Sequence, residues 1–547
     1  MRNLRTTSRW LGLIGSVSLL VFPAAAQDVG HVATASVQPV IADMVAAEPS
    51  FHDVATPASA PVASATEDVR PTDPLAIPLP DAPPPVTLTA SDWFRIAMEK
   101  LLADDAALRD LRLGKAERES LVAFYAQAER PLAWARDGAW TPAARAAIGQ
   151  IEAAAEDGLD PADYPLPDMA LRKNARPEEW AAADLKLSAA VIRYARDARG
   201  GRIEPSRLSP LITPKLDLPE AGEVLARVSA ARDAGAALAA YNPQHPGYQA
   251  LKARLAQLRE SHPSRPSVRA PKGSTLRVAS AVAAFPKEKG PADNGPLTPR
   301  TVASLSGPSV ARMQAELIAN MERWRWLPAD LGSRHIVVNV PEYRLRFYDD
   351  GNVVHQTRVI VGAEKSQTPI FSDEMKYLVV NPSWTIPLSI MKKEILPGLA
   401  ADPYYAARKG YKVIRRGNRI VVQQPPGERN ALGFVKFMFP NQHAVYLHDT
   451  PNRKLFSAAK RAFSHGCVRV EQPFELAEQI FGQDGKWTEK RLRGLIGKGE
   501  RYVHLSKPLP VHLTYFTLSA DERGEIKRFD DLYGIDRKVQ AALGLAS

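Results

Sequence analysis

The stretch Arg334–Gly362, RHIVVNVPEYRLRFYDDGNVVHQTRVIVG, is where the pattern of apolar residues changes period. Before it they recur every three or four positions; within it they alternate one by one, which is the signature of half-buried strands. RHIVVNV and RLRFY read as two strands, and DDGN as a turn into a third, VVHQTRVIVG. KYLVVNPSWTIP and HAVYLHD continue the theme further on. Between those two, LSIMKKEILPGLAADPYYAARKG reads as helical, and YKVIRRGNRIVVQQ as a hairpin turning at Arg416–Gly417–Asn418. That insertion, about 388–430, has the makings of a lid. A helix over PFELAEQIFG can start at Pro473 and stop at Gly482. The tail, PVHLTYFTLSADERGEIKRFDDLYG, reads as a closing hairpin.

Toward the N-terminus the chain is helical. SDWFRIAMEKLLA opens with Ser91 as a cap. TPAARAAIGQIEAAAEDG has Thr141 to cap, Pro142 for the first turn and Gly158 to end it. The same spacing persists to Leu258, which gives a helical scaffold domain over 89–258. No position in it pairs a nucleophile with a base. Residues 259–310 combine a linker with two short helical segments around a Pro/Gly/Asp/Asn turn, and 311–333 read as a connecting helix. Residues 27–88 are rich in Ala and Pro and end in PLPDAPPPV, a composition that favours extended, solvated chain. MRNLRTTSR, then an apolar core, then Ala24–Ala26 fits a secretory leader over 1–26, so the mature protein is expected to be exported with no integral membrane segment after cleavage, an uncleaved anchor being the alternative.

The charge balance is +11, scattered through mixed-sign runs, and 24% of residues are charged. A polytopic membrane protein is excluded by that composition, and no nucleic-acid-binding module is recognisable. An exported chain with a single cysteine forms no internal disulfide. Cys467 is that cysteine. It lies in His443–Val470, HAVYLHDTPNRKLFSAAKRAFSHGCVRV, with His443, His448 and His465.

A thiol attacks a carbonyl as its thiolate and needs a base. Strand alternation sets Tyr446 and His448 on one face, and a strand with a returning loop brings His448 to Cys467. Gly466 permits a tight turn, whose backbone N–H groups at Gly466 and Cys467 suit a developing oxyanion, with the Tyr446 phenol as a third donor. Zinc is the competing reading of one Cys and two His, but its fourth ligand has no candidate.

His448, a spacer of under twenty residues, Ser464-His465-Gly466-Cys467 and Arg469 together resemble the catalytic signature of the L,D-transpeptidase (YkuD-type) family. The motifs VIVG with Thr368-Pro369, NPSWTIP, KFMFPN and YLHDTP, and FYAQAERPLAW and EDGLDPADY in the helical half, resemble its large periplasmic subfamily with an N-terminal scaffold domain. Residues 259–310 resemble a shortened, degenerate peptidoglycan-binding module. The fold class implied is multidomain α+β: a helical scaffold domain, that small module, and a mainly-β catalytic domain over 334–506 with a lid, followed by a C-terminal hairpin and tail over 507–547.

The resemblance implies that Cys467, deprotonated by His448, takes an acyl group from a peptidoglycan stem tetrapeptide and passes it to a second stem peptide as a 3→3 cross-link. The Asp449 carbonyl would orient His448, and His465 would shape the turn. Arg469, Trp384 and Ser464 are the candidate substrate contacts. No cofactor or metal is implied; peptidoglycan synthases are candidate partners. A carboxypeptidase acting on the same peptides, and an inactive wall-binding scaffold, are the alternative readings.

Overall fold

A computed structural model of the chain describes residues 87–262 and 309–545, apart from 130, 172–173, 417–418, 483–484 and 521–523. The expected leader, almost all of the tether, and the module and linker at 263–308 lie outside the described residues.

The first helix, α1 (Ala90–Leu102), is capped by Thr89, not by Ser91. Asp92 decides this: it donates its N–H to the Thr89 hydroxyl while its carboxylate accepts the Thr89 N–H at 2.7 Å, a reciprocal box that Ser91 has no partner to form. Helix α2 (Pro142–Glu152) starts at Thr141 with proline in its first turn, and a 3-10 turn carries the chain to Gly158 at φ 70°. The centre of the scaffold is α3 (Pro177–Gly200), with Trp180, Leu187, Val191 and Tyr194 fully buried. Its apolar residues occupy nearly all sides, as a helix surrounded by others requires.

Helix α4 (Pro246–Ser261) does not share that core. Tyr248, Leu251, Leu255 and Leu258 pack instead into the core of the β-rich half, with Ile336, Val338 and Phe347. The scaffold expected to end at 258 therefore hands its last helix to the other core; an amphipathic stripe shows that a face is buried, not against what. Helix α5 (Val310–Trp324), expected as a connector, is a buried keystone. Asn320 Oδ1 accepts the N–H groups of Thr517 and Leu518, and Arg323 pairs with Asp536 at 2.5 Å. Just beyond it, Arg325 donates to the Asp157 carbonyl at 2.6 Å and the Tyr248 hydroxyl at 2.8 Å.

Nine strands form the main sheet: β1 (Arg334–Asn339), β2 (Arg344–Asp349), β3 (Asn352–Gly362), β4 (Phe371–Val380), β5 (Val435–Met438), β6 (Leu447–His448), β7 (Ala462–Ser464), β8 (Val468–Val470) and β9 (Arg501–Thr514). Their order is β7-β3-β8-β6-β5-β4-β9-β1-β2, and β2 also pairs with β3, so the sheet returns on itself. The first three strands fall where the alternation put them. Strand β9 corrects the expected boundary at 506, because it runs unbroken from Arg501 to Thr514 between β4 and β1. Pro508 falls in an irregularity of the ladder between His504 and Leu509, and Pro510 is in register opposite Glu374. The short hairpin comes later, at Leu518–Ala520 and Ile526–Arg528, and helix α7 (Ile535–Ala542) follows. Helix α6 (Pro473–Phe481) packs Phe474, Leu476, Ala477 and Ile480 into the core, as expected.

The insertion forms its own small body. Trp384–Thr385, Arg419–Gln424 and Lys412–Arg416 make a three-stranded sheet, and short helical turns span Leu388–Ala401. Ile386, Met391, Ile395 and Val422 are its core. Residues 417 and 418, at the expected turn, lie outside the described residues.

Candidate active site

Strand β6 lies between β5 and β8, antiparallel to the first and parallel to the second. Register aligns Lys436 with His448 and His448 with Arg469. Since facing residues of adjacent strands share a face, these three side chains form one row across three strands. The opposite face carries Val435, Phe437, Leu447, Val468 and Val470, all fully buried in the core. Cys467 stands one row along, where the Val468 N–H donates to the Tyr446 carbonyl at 3.0 Å.

His448 is buried, and its Nδ1 lies 2.5 Å from the carbonyl oxygen of Asp449. A carbonyl only accepts, so Nδ1 carries the proton and Nε2 keeps its lone pair. Burial, with Arg469 and Lys436 close by, pushes the imidazole down to about 3. Burial likewise pushes the Cys467 thiol up, against a Tyr446 backbone hydrogen bond and the charges of Lys436 and Arg469. Both shifts favour the neutral forms of the thiol and the imidazole.

The turn is clamped from within. Ser464, itself buried, donates its hydroxyl to the Cys467 carbonyl and accepts the Gly466 N–H at 3.1 Å. Two expectations change as a result. Ser464 is spent on the turn and has no free hydrogen for a substrate, and the Gly466 N–H already has a partner. The Cys467 N–H has no hydrogen bond among the described residues, so it is the donor left for an oxyanion. Gly466 sits at φ 117°, a conformation that glycine tolerates, and its carbonyl accepts from the Thr368 hydroxyl at 2.9 Å.

Asp449 anchors the histidine loop with its side chain as well as its carbonyl. It accepts the N–H groups of Phe434 and Thr450, and pairs with Arg453 at 2.7 Å. Tyr446 is half-buried, its ring covered by the Lys436 ammonium at 3.8 Å. Arg469 is half-buried too, and its buried Nε has no hydrogen-bond partner among the described residues. His465 is exposed; its Nε2 meets Glu394 of the insertion at 2.9 Å. Trp384 packs against the insertion's own core. His443 bonds Thr213 at 2.7 Å, tying the sheet to the helical half. A groove of about 470 Å³ runs beside the turn, lined by His465, Gly466, Gln367 and Val445 and by Ser209 and Leu211 from the helical half.

Sequence reasoning missed two residues. Lys436 was legible as the one charged position in VKFMF, on the face its alternation leaves polar. Glu394 carries no such signal. Among the described residues no three His, Cys, Asp or Glu converge as a metal site would require, and no helix is long and apolar enough to cross a membrane.

Two family models match the chain: a scaffold domain over residues 119–255 and an L,D-transpeptidase catalytic domain of the YkuD type over 333–484. The chain carries a scaffold domain followed by an L,D-transpeptidase catalytic domain. A putative L,D-transpeptidase of Haemophilus influenzae is 36% identical over 245 residues, 42% of this chain and 49% of that protein. The match thus spans about half that relative's length. Among solved structures, an L,D-transpeptidase from Mycobacterium smegmatis aligns with TM-score 0.19 at 13% identity, over 33% of this chain and 58% of that one. L,D-transpeptidase 3 from Mycobacterium tuberculosis aligns with TM-score 0.18 at 12% identity, over 33% and 61%. Likenesses this faint do not bear on the site. The row of Lys436, His448 and Arg469, and the turn holding Cys467, all fall within the L,D-transpeptidase catalytic domain.

Proposed function

We propose that this protein is a periplasmic peptidoglycan L,D-transpeptidase that forms 3→3 cross-links through an acyl-enzyme on Cys467. The observation that carries the reading is the Nδ1–H bond from His448 to the Asp449 carbonyl, which leaves Nε2 as acceptor on the face that bears the chain's only thiol. In this reading the thiol proton passes to Nε2 as sulfur attacks the carbonyl at the L-centre of diaminopimelate in a stem tetrapeptide. The carbonyl oxygen takes negative charge, met by the Cys467 N–H and the Tyr446 hydroxyl. The C–N bond then breaks, the imidazolium returns its proton to the nitrogen, and D-Ala leaves. The side-chain amine of a second diaminopimelate attacks the thioester and gives a proton to Nε2; the C–S bond then breaks, and the imidazolium returns that proton to the departing sulfur. Arg469 suits a carboxylate of the donor peptide, since its buried Nε has no hydrogen-bond partner among the described residues.

Incubation with purified disaccharide-tetrapeptide, followed by mass spectrometry, tests this. Cross-linked dimer with released D-Ala is expected. Tripeptide alone would make the enzyme a carboxypeptidase, and unchanged substrate would favour the binding-protein reading. A carbapenem, whose strained carbonyl mimics the donor amide, is expected to add its mass to the wild-type chain and not to Cys467→Ala.

A further inference from the structure

Lys436 is an unusual residue for its place. Its strand neighbours Val435 and Phe437 are fully buried, and its side chain enters the row that holds His448 and Arg469. Among the described residues neither Lys436 nor Arg469 forms an ion pair. The charged and titratable groups facing Lys436 are Cys467, His448 and Tyr446 from the neighbouring strands and turn, and Glu500 at the edge of β9. Tyr377 stands two positions along β4, in electrostatic reach of Tyr446. Glu500 is engaged elsewhere, accepting from the Ser383 and Tyr502 hydroxyls at 3.0 Å each. The ammonium is held over the Tyr446 ring at 3.8 Å, a contact that fixes its place without neutralising it.

A half-buried cation with no ion-pair partner among the described residues, reached by Glu500 only through the longer-range field of its charge, costs free energy unless something negative arises nearby. What arises here is the thiolate, or the oxyanion it creates. We propose that Lys436 is a positioning residue whose ammonium, unpaired among the described residues and braced on the Tyr446 ring, lowers the free energy of negative charge on Cys467 Sγ. Burial pulls the Lys436 ammonium below its usual range while the Cys467 charge opposes that pull, and Cys467 feels the reciprocal effect. His448 cannot supply this field, because burial keeps it neutral in the resting site. The inference rests on the reading of Cys467 as the nucleophile.

The single cysteine makes the test site-specific. Iodoacetamide alkylates the thiolate, with sulfur displacing iodide and the thiol proton leaving to solvent, so the rate against pH reports the charge state of Cys467 alone. In full-length Lys436→Met the midpoint of that profile is expected to rise by about one pH unit, making alkylation about tenfold slower below it. Lys436→Arg is expected to restore most of the rate. In turnover of disaccharide-tetrapeptide, kcat falls and KM holds. An unchanged alkylation profile in Lys436→Met overturns the proposal, and so does a raised KM with an unchanged profile, which would make Lys436 a substrate contact. Lys436→Gln, with a thermal melt as control, serves if the Met variant does not fold. Full product formation by Cys467→Ala would sink the functional reading instead, and is scored separately.

Discussion

His448 donates its Nδ1 proton to the carbonyl of the very next residue, Asp449, at 2.5 Å. The bond fixes the tautomer, so the base needs no neighbouring carboxylate to orient it. His448→Gln retains an amide that can satisfy the Asp449 carbonyl but offers no basic nitrogen. A loss of about 100-fold or more in kcat is expected, the usual scale for a general base, with folding retained. Comparing single-turnover acylation in the two proteins checks it.

Buried neutral histidines also set the acid limit of the fold. His448 is pushed down to about 3, and His245 and His512 to about 4, all chiefly by burial. Unfolded, each titrates near the ordinary value of about 6.5. Between there and pH 4 the unfolded chain binds the extra protons, so stability is full above pH 6.5 and falls as pH drops. Asp184 and Asp197, raised to about 6 by burial, oppose this over part of the window, but three histidines outweigh two carboxylates. Urea midpoints are expected to be lower at pH 5 than at pH 7. The decline should be shallower in His512→Asn, which removes one of the three titrating groups.

Much of this arrangement was legible in residues alone. Alternation in RHIVVNV and RLRFY located the strands, and the pairing of Tyr446 with His448 followed from the same period, although β6 is only two residues long. What escaped were facts about partners. A helical stripe at Tyr248, Leu251 and Leu255 says that a face is buried without naming the core that buries it. Ser464 read as a substrate contact because nothing in SHGC reveals that its hydroxyl bridges Gly466 and Cys467. The boundary set at 506 fell inside a strand because only the partner strands show that the ladder resumes at Leu509 after an irregularity.

Gly433 packs its backbone against the side chain of Asp449. It sits at φ 62°, and a Cβ placed there would overlap the Asp449 side chain. Gly433→Ala therefore combines backbone strain with displacement of the loop that anchors His448. A fall in kcat comparable with that of a modest change at His448 itself is expected, about tenfold or more, with the Cys467 alkylation profile also disturbed. Normal turnover by the variant would mean that the loop can shift without moving the imidazole.

Arg325 ties the helical half to the β-rich half. It is fully buried, donates to Asp157, Asn242 and Tyr248, and lies over the Tyr248 ring at 5.4 Å. Removing a buried cation's partners or the cation itself costs about 3–5 kcal/mol, whereas a well-packed apolar replacement costs less. Arg325→Ala is accordingly expected to lower the unfolding free energy by about that amount and Arg325→Met by less, as denaturant titration would measure. Equal losses would show that lost hydrogen bonds, not the cavity, dominate.

Among the described residues the polar contact between the insertion and the Cys467 turn is Glu394 with His465 Nε2 at 2.9 Å, both partners about half exposed. An exposed pair is worth at most about 1 kcal/mol, so breaking it shifts any local opening of the insertion by no more than about fivefold. Glu394→Ala is expected to speed hydrogen exchange over residues 388–408 within that limit. Protection in the Ser464–Cys467 turn should be unchanged, because Ser464 and Thr368 hold that turn independently. Faster exchange confined to the turn would reverse the assignment, making Glu394 a support for His465 and leaving the lid held by its own small core.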